Sequence, residues 1–238
     1  MRMPASHLRK YLTRLLVLMS LSCSGLLCAQ EQPGDEQEKE PKGIVFTAIS
    51  LSNLPYENIY YRNGEDFIKI EWRNGRRSKP YSLSKAKLLE VFIDHDDPEK
   101  PYLLIGRAAL VAGTQTMLYF FGENGSKKEG ALPVTLYGID DSQTIFPDSS
   151  YRFINFVKVP LVVDFDKKKR FLIKPGKPIV HKLKLSKGGE FTPFLLRDTK
   201  GKVLGGTRLF SHATNREMVL IFPPKKGSKR MDIRFFSD

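Results

Sequence analysis

Short runs of β-branched and aromatic residues, many alternating with polar positions, fill the chain after Gly43. In DFIKIEW (66–72), Ile68, Ile70 and Trp72 fall on one face of an extended strand. This period of two is typical of a strand with one buried and one wet side. Further runs of this kind in the first half are VFTAISL (45–51), ENIYYR (57–62), LLEVFID (88–94), TMLYFF (116–121) and LPVTLYGI (132–139).

The second half of the chain shows the same pattern of short apolar and alternating runs. Its predicted strands are YRFINFV, PLVVDF, RFLIK, PIVHKLKL, EFTPFLLR, KVLGGTRLF and MVLIF. The tail PPKKGSKRMDIRFFSD supplies one more edge strand or stays loose. Short strands at this spacing are typical of a sandwich or a Greek-key barrel. The sequence therefore predicts an all-β chain of two consecutive antiparallel β-sandwich modules, immunoglobulin-like or Greek-key, at residues 43–148 and 149–238.

Glycine-containing pairs mark several of the turns. Asn63-Gly64 predicts a two-residue type I′ hairpin, since both residues tolerate positive φ angles. Asn74-Gly75 follows the next strand in the same way and predicts a three-stranded meander. Pro175-Gly176 is a strong turn pair, and Gly205-Gly206 predicts a bulge or a close backbone approach. SLSKAKLLEVFI also fits a helical spacing, but its latter half is interpreted as a strand because no other long segment keeps that period.

The N-terminal segment has the plan of a secretory signal peptide, residues 1–29, with basic residues before an uncharged apolar stretch. Cleavage after Ala29 would remove Cys23 and Cys28, the two cysteines of the chain. The exported protein would then have no disulfide, catalytic thiol or cysteine-bound metal. Lipidation at Cys23 or Cys28 is the alternative, with an acylated terminus anchored to a membrane. Residues 30–42 are acidic and poor in apolar residues, which predicts a disordered leader.

Charge is divided unevenly along the chain. Residues 30–150 hold 14 basic and 19 acidic residues, whereas residues 151–238 hold 21 basic and 7 acidic residues. An asymmetry of this size indicates two units with different surfaces. The basic half therefore favours an anionic partner.

Residues that could carry chemistry are dispersed. His95, His181 and His212 show no metal-binding spacing, and His181 fits an ordinary position on a strand. IDHDDPEKP (93–101) is oxygen-rich enough to suggest calcium, but an acidic hairpin tip explains it as well. Glu190, Asp198 and Glu217 are the carboxylates that an enzyme would have to bring together. No cofactor motif is present, so the sequence predicts none.

Lysines and arginines concentrate in turns and at alternate strand positions of the second half, including a further basic run, KKGSKR (225–230). The residues predicted to bind an anion are Lys167, Lys168, Lys169, Arg170, Lys174, Lys177, Lys182 and Lys184. The opposing interpretation is that lysines keep exposed strand edges from aggregating. Aromatic residues among the cations would suit single-stranded nucleic acid, but export argues against that ligand.

Residues 146–180, FPDSSYRFINFVKVPLVVDFDKKKRFLIKPGKPIV, resemble small β-sandwich modules of exported bacterial proteins whose function is unknown. The shared pattern is an aromatic-Arg-Phe-aliphatic-Asn strand, a short hairpin and a Pro-Gly turn. The resemblance implies a sandwich fold for the second module. It supplies no catalytic residue.

Two classes of function remain open. The first is a non-enzymatic envelope, periplasmic or secreted protein, without a transmembrane span after processing. Its basic half would bind an anionic polymer or membrane surface, and its first module would contact a protein partner. The second is a carbohydrate-active or other hydrolytic enzyme with dispersed carboxylates. A structural subunit of a surface assembly is a further alternative.

Overall fold

Sixteen β-strands and no helix make up the described part of the chain. The structure is a computed structural model, and it describes residues 43–71, 75–84, 88–126, 128–166, 169–183, 189–212 and 214–237. The predicted signal peptide, residues 1–29, and the predicted leader, residues 30–42, lie outside these ranges. The described residues belong to one compact unit.

The strands of the first half are β1 (Ile44–Ser50), β2 (Tyr60–Asn63), β3 (Asp66–Lys69), β4 (Tyr81–Leu83), β5 (Leu88–Asp94), β6 (Tyr102–Ala109), β7 (Thr116–Glu123) and β8 (Val134–Asp140). Those of the second half are β9 (Ser150–Asn155), β10 (Leu161–Phe165), β11 (Lys169–Ile173), β12 (Ile179–Lys182), β13 (Glu190–Arg197), β14 (Val203–Ser211), β15 (Arg216–Phe222) and β16 (Asp232–Ser237). Strands β1 to β8 form the first sandwich, and strands β9 to β16 form the second.

Each sandwich consists of two four-stranded sheets. In the first sandwich the outer sheet has the order β3-β2-β5-β6 and the inner sheet the order β4-β1-β7-β8. In the second sandwich the outer sheet has the order β11-β10-β13-β14 and the inner sheet the order β12-β9-β15-β16. All pairings are antiparallel except β1 with β7 and β9 with β15. The predicted all-β fold of two consecutive sandwiches is confirmed.

Three apolar clusters hold these sheets together. One lies within the first sandwich around Phe46 and Tyr119, and another lies within the second around Phe153 and Phe165. The third, the interface core, joins the two inner sheets. Its buried members are Ile49, Leu118, Phe120, Ile139, Phe146, Ile154, Met218 and Leu220. The sheets therefore stack as four layers, and the two sandwiches share a buried boundary.

The interface core explains why two strands are apolar at nearly every position. In β7, Met117, Tyr119 and Phe121 pack into the first sandwich. The intervening Leu118 and Phe120 pack into the interface core. A strand that is buried on both faces reads as a continuous apolar run. The run MVLIF in β15 has the same cause.

The two sandwiches have one topology. Adding eight to every strand number of the first sandwich reproduces both sheet orders of the second, including the parallel central pair. The β-bulges also correspond, because the register shifts after Val91, opposite Gly106, and after Leu196, opposite Gly205. Since bulges are specific features of a fold, this agreement establishes an internal structural repeat.

The turns after β3 and β11 correspond as well. Gly75 donates its backbone N–H to the Ser50 carbonyl at 3.3 Å, and Gly176 donates to the Asn155 carbonyl at 2.9 Å. Both glycines have positive φ angles, 67° and 63°, which favour glycine. Each turn carries the chain from an outer sheet to an inner one. The meander predicted after Gly75 is therefore wrong.

The remaining predicted turns and strands agree with the structure in part. The hairpin between β2 and β3 forms, but only Gly64 has a positive φ, 68°, so its predicted type I′ turn is wrong. The ambiguous segment contributes β5 as a strand, and the tail forms the edge strand β16. Ile68 and Ile70 both pack in the first core, as predicted, while Trp72 lies outside the described residues. Strands β4 and β6 were not predicted.

Candidate anion-binding surface

The lysines predicted from the sequence lie along one open side of the second sandwich. Strands β11 and β12 are edge strands of its outer and inner sheets, and the turn at Pro175 and Gly176 joins them. This connection places five of the predicted residues along the same side, and they are Lys169, Arg170, Lys174, Lys177 and Lys182. Lys167, Lys168 and Lys184 lie outside the described residues.

Arg170 is already engaged by a neighbouring carboxylate. Its Nε lies 2.5 Å from Asp164 Oδ1, and Arg197 Nε lies 2.7 Å from Asp164 Oδ2. Hydrogen bonds from these two guanidinium groups lower the pKa of Asp164 to about 2. Asp164 thus remains charged at neutral pH and holds Arg170. Arg170 is therefore less available to an external anion than the sequence predicts.

Lys169 contacts a histidine across the open side. Its Nζ lies 2.8 Å from His181 Nε2, and the imidazole ring packs against Phe165 and Phe171. Burial lowers the pKa of His181, and the charge of Lys169 lowers it further. A neutral imidazole can accept a hydrogen bond from the ammonium group. His181 therefore has a packing role here, in keeping with the ordinary position predicted for it.

Lys174, Lys177 and Lys182 are exposed, and no ion pair of theirs occurs among the described residues. Lys174 and Lys177 flank the turn, and Lys182 ends β12. They line no described cavity. Their placement at the ends of edge strands suits either weak anion contact or protection against edge-to-edge pairing.

A groove on the opposite side of the second sandwich gives a more defined cationic site. Its volume is about 800 Å³, and it runs between β14 and the segment that precedes β16. Its lining includes four cationic residues, Lys202, Arg208, Lys229 and Arg230, and no acidic residue. Leu204, Met231 and Ile233 supply an apolar floor that is continuous with the second core.

The four groove cations have no ion pair within the described part of the chain, and nearby acids are occupied elsewhere. Asp198 accepts hydrogen bonds from the backbone N–H groups of Lys200 and Lys202, each at 2.9 Å. Asp232 lies 2.9 Å from Arg234 Nη2. The residues that line the groove therefore carry positive charge only, and a cleft of one sign attracts anions.

A cavity in the first sandwich has a different character. It has a volume of about 560 Å³ and is lined by residues of both signs. Within it Lys79 Nζ lies 2.8 Å from Glu71 Oε1. Hydrogen bonding to Lys79 lowers the pKa of Glu71. The first sandwich therefore has no matching cationic groove among its described cavities.

The groove contains residues of two sequence features that lie far apart along the chain. KKGSKR contains Lys229 and Arg230, and Gly205-Gly206 was predicted as a bulge or a close approach. The bulge is confirmed, and a Cβ on Gly206 would lie 2.9 Å from the Phe194 carbonyl oxygen. The sequence alone could not place the loop before β16 beside β14.

The three dispersed carboxylates are not arranged as one catalytic set. Glu190 begins β13 and Asp198 follows its last residue, so an eight-residue strand of about 3.3 Å per residue separates them. Glu217 accepts a hydrogen bond from Ser237 at 2.8 Å. The acidic segment 93–101 forms the tip of the β5–β6 hairpin.

Within the described ranges, no cluster of histidine, cysteine or acidic side chains is arranged to hold a metal ion. A search limited to the same residues finds no helix with the length and apolarity of a bilayer span. The chain matches no protein-family model and no curated protein sequence.

Proposed function

We propose that the chain is a non-enzymatic exported protein whose second sandwich binds an anionic polymer or surface in the cell envelope. The observation that carries this proposal is the groove between β14 and β16, with four cations, no acidic lining residue and an apolar floor. Its volume lies in the range of ligand sites, about 300–1,000 Å³. The unpaired lysines beside β11 and β12 add positive potential to the same sandwich.

The first sandwich supports a separate role as a contact surface for a protein partner. Its outer sheet carries a cluster of rings, in which Phe67 and Tyr102 stack with centroids 4.0 Å apart. Tyr60 meets Tyr102 edge-on at 5.1 Å, and Phe92 meets Phe67 at 5.0 Å. Aromatic residues are enriched at protein interfaces. The two sandwiches would then join an envelope protein to an anionic layer.

Binding by the full chain tests the proposal. The chain is passed over immobilised heparin and over neutral dextran, and it is sedimented with phosphatidylglycerol vesicles and with phosphatidylcholine vesicles. We expect retention on the two anionic probes, with loss at moderate salt because exposed charge interactions are screened. Equal behaviour on the anionic and neutral probes would refute the proposal.

The full chain is required because the halves share the interface core. The second sandwich alone would expose Ile154, Met218 and Leu220, which are buried against the first. Apolar surface of that kind promotes association. Retention of an isolated half would therefore mix anion binding with aggregation.

A further inference from the structure

The groove in the second sandwich lies along an unpaired strand edge. Strand β14 ends the outer sheet, and among the described residues it pairs with β13 alone. Residues 203–208 of β14 all line the groove. An edge strand presents a row of backbone donors and acceptors that can pair with another strand. The groove therefore contains an unpaired strand edge as well as four cations.

The internal repeat shows that this edge is covered in the first sandwich. Strand β6 is the counterpart of β14, and it packs against β8. A Cβ on Gly106 would lie 3.0 Å from the Val134 carbonyl oxygen and 3.2 Å from Leu136 Cδ1. The equivalent Cβ on Gly205 would meet only Ile233 Cδ1, at 3.1 Å. The same fold is thus closed at one edge and open at the other.

The charge of the groove selects among possible occupants. A second copy of this chain placed edge to edge would bring the same cations against each other, which is unfavourable. An acidic polysaccharide would neutralise the cations but cannot continue the backbone hydrogen bonding of a sheet. An acidic polypeptide in extended form would do both. Its alternate side chains would face opposite sides, so acidic and apolar positions would both find partners among the cations and the apolar residues Leu204, Met231 and Ile233 that line the groove.

We propose that the groove receives an extended acidic segment of a partner protein, which adds to β14 as a further strand. This inference rests on the proposed anion binding by the second sandwich and specifies the chemical form of the ligand. Backbone hydrogen bonds to β14 would supply affinity, and Arg208, Lys229 and Arg230 would select for acidic side chains. The apolar floor would select for alternate apolar ones.

The test uses a fluorescent eight-residue peptide of alternating glutamate and valine and the full-length protein. Its control is the same peptide with every internal amide N-methylated, which keeps the charge but removes the backbone donors. Fluorescence anisotropy measures binding, and hydrogen exchange measures the protection of residues 203–208. We expect the unmethylated peptide to bind at least about tenfold more tightly and to slow exchange in that segment.

Two variants test whether the peptide binds in the groove. In Gly205→Leu the new side chain would fill the space beside Ile233, whereas Gly125→Leu adds the same side chain where nothing lies within 4 Å of a Cβ. The double substitution Lys229→Glu with Arg230→Glu changes exposed loop residues and serves if Gly205→Leu fails to fold. We expect a loss of peptide affinity of about tenfold or more in the groove variants and none in Gly125→Leu.

Heparin retention separates this inference from the proposed function. Equal binding of both peptides, or no protection of residues 203–208, would overturn strand addition even if heparin is retained. If the unsubstituted protein is retained on none of the anionic probes, the proposed function is overturned as well. Peptide binding that Gly205→Leu abolishes, with heparin retention preserved, would support the strand mode specifically.

Discussion

Arg152 Nη1 donates to Asp141 Oδ1 at 2.9 Å in the boundary between the two sandwiches. Both side chains are almost fully buried, with 1% and 2% of their surfaces exposed. The Arg152 guanidinium also lies 4.1 Å from the centre of the Phe146 ring. Asp141 lies 2.5 Å from Arg77 and 3.6 Å from Arg216 as well. One carboxylate thus ties the first sandwich to two arginines of the second.

Removing that carboxylate should destabilise the whole described unit. We expect Asp141→Asn to lower the free energy of unfolding by about 3–5 kcal/mol, because Arg152 keeps its charge without a buried partner. Burial already lowers the pKa of Arg152. Urea unfolding followed by circular dichroism measures the effect. Asp148→Asn, an exposed carboxylate nearby, should change stability by less than about 1 kcal/mol, and equal losses would contradict this role.

Gly106 and Gly205 lie at equivalent bulges of the two sandwiches, so the same substitution can be compared at both. Gly106→Ala places a Cβ 3.0 Å from a backbone oxygen and should cost about 1–3 kcal/mol through overpacking. Gly205→Ala meets only the flexible end of Ile233, so its effect should stay within about 1 kcal/mol. Chemical unfolding of the two variants provides the comparison. A cost at Gly205 as large as that at Gly106 would show that the groove is closed.

Asp164 should make stability depend on acid pH. Its folded pKa of about 2 lies below the ordinary value near 4, so its contribution is full above about pH 4 and is lost as pH falls toward 2. Asp164→Asn should flatten the dependence of unfolding free energy on pH in that window. Asp96→Asn, at the exposed tip of the β5–β6 hairpin, should leave it unchanged. An unaltered slope in Asp164→Asn would contradict the pairing with Arg170 and Arg197.

His181 should make stability depend on pH in a higher range than Asp164 does. Burial lowers its pKa, so the folded chain binds a proton less readily than the unfolded chain, and stability falls as pH drops below about 6.5. His181→Phe preserves the ring contacts with Phe165 and Phe171 and removes the titration. Its melting temperature should exceed that of the unsubstituted protein at about pH 5 and differ less at about pH 8. An equal difference at both values would contradict the assignment.

Local patterns were sufficient to predict the class of the fold. Ile68 and Ile70 show the period of two that a half-buried strand requires, and they pack in the first core. The four-layer arrangement could not be predicted in this way. Leu118 and Phe120 face a second sandwich that a run such as TMLYFF does not specify. Strand β4 is only three residues long and offers too little pattern.

The sequence predicts the sign of the charge at the candidate site, but it predicts the position of the site only in part. The excess of basic residues in the second half predicts an anionic partner for that half, and the five predicted residues that the structure describes lie beside β11 and β12. The groove was missed because Arg208 and Arg230 come together only through the pairing of distant strands. Arg152 belongs to the same positive excess, yet its environment is set by Asp141, which precedes it by eleven residues.

The position of heparin binding tests the central claim most directly. One variant replaces the groove cations Lys202, Arg208, Lys229 and Arg230 with glutamate. Its control replaces four exposed cations of the first sandwich with glutamate, Lys69, Lys100, Arg107 and Lys128. Both variants change the net charge equally, and the salt concentration at elution is measured. We predict that the groove variant loses retention while the control elutes near the unsubstituted protein; equal shifts would contradict the account.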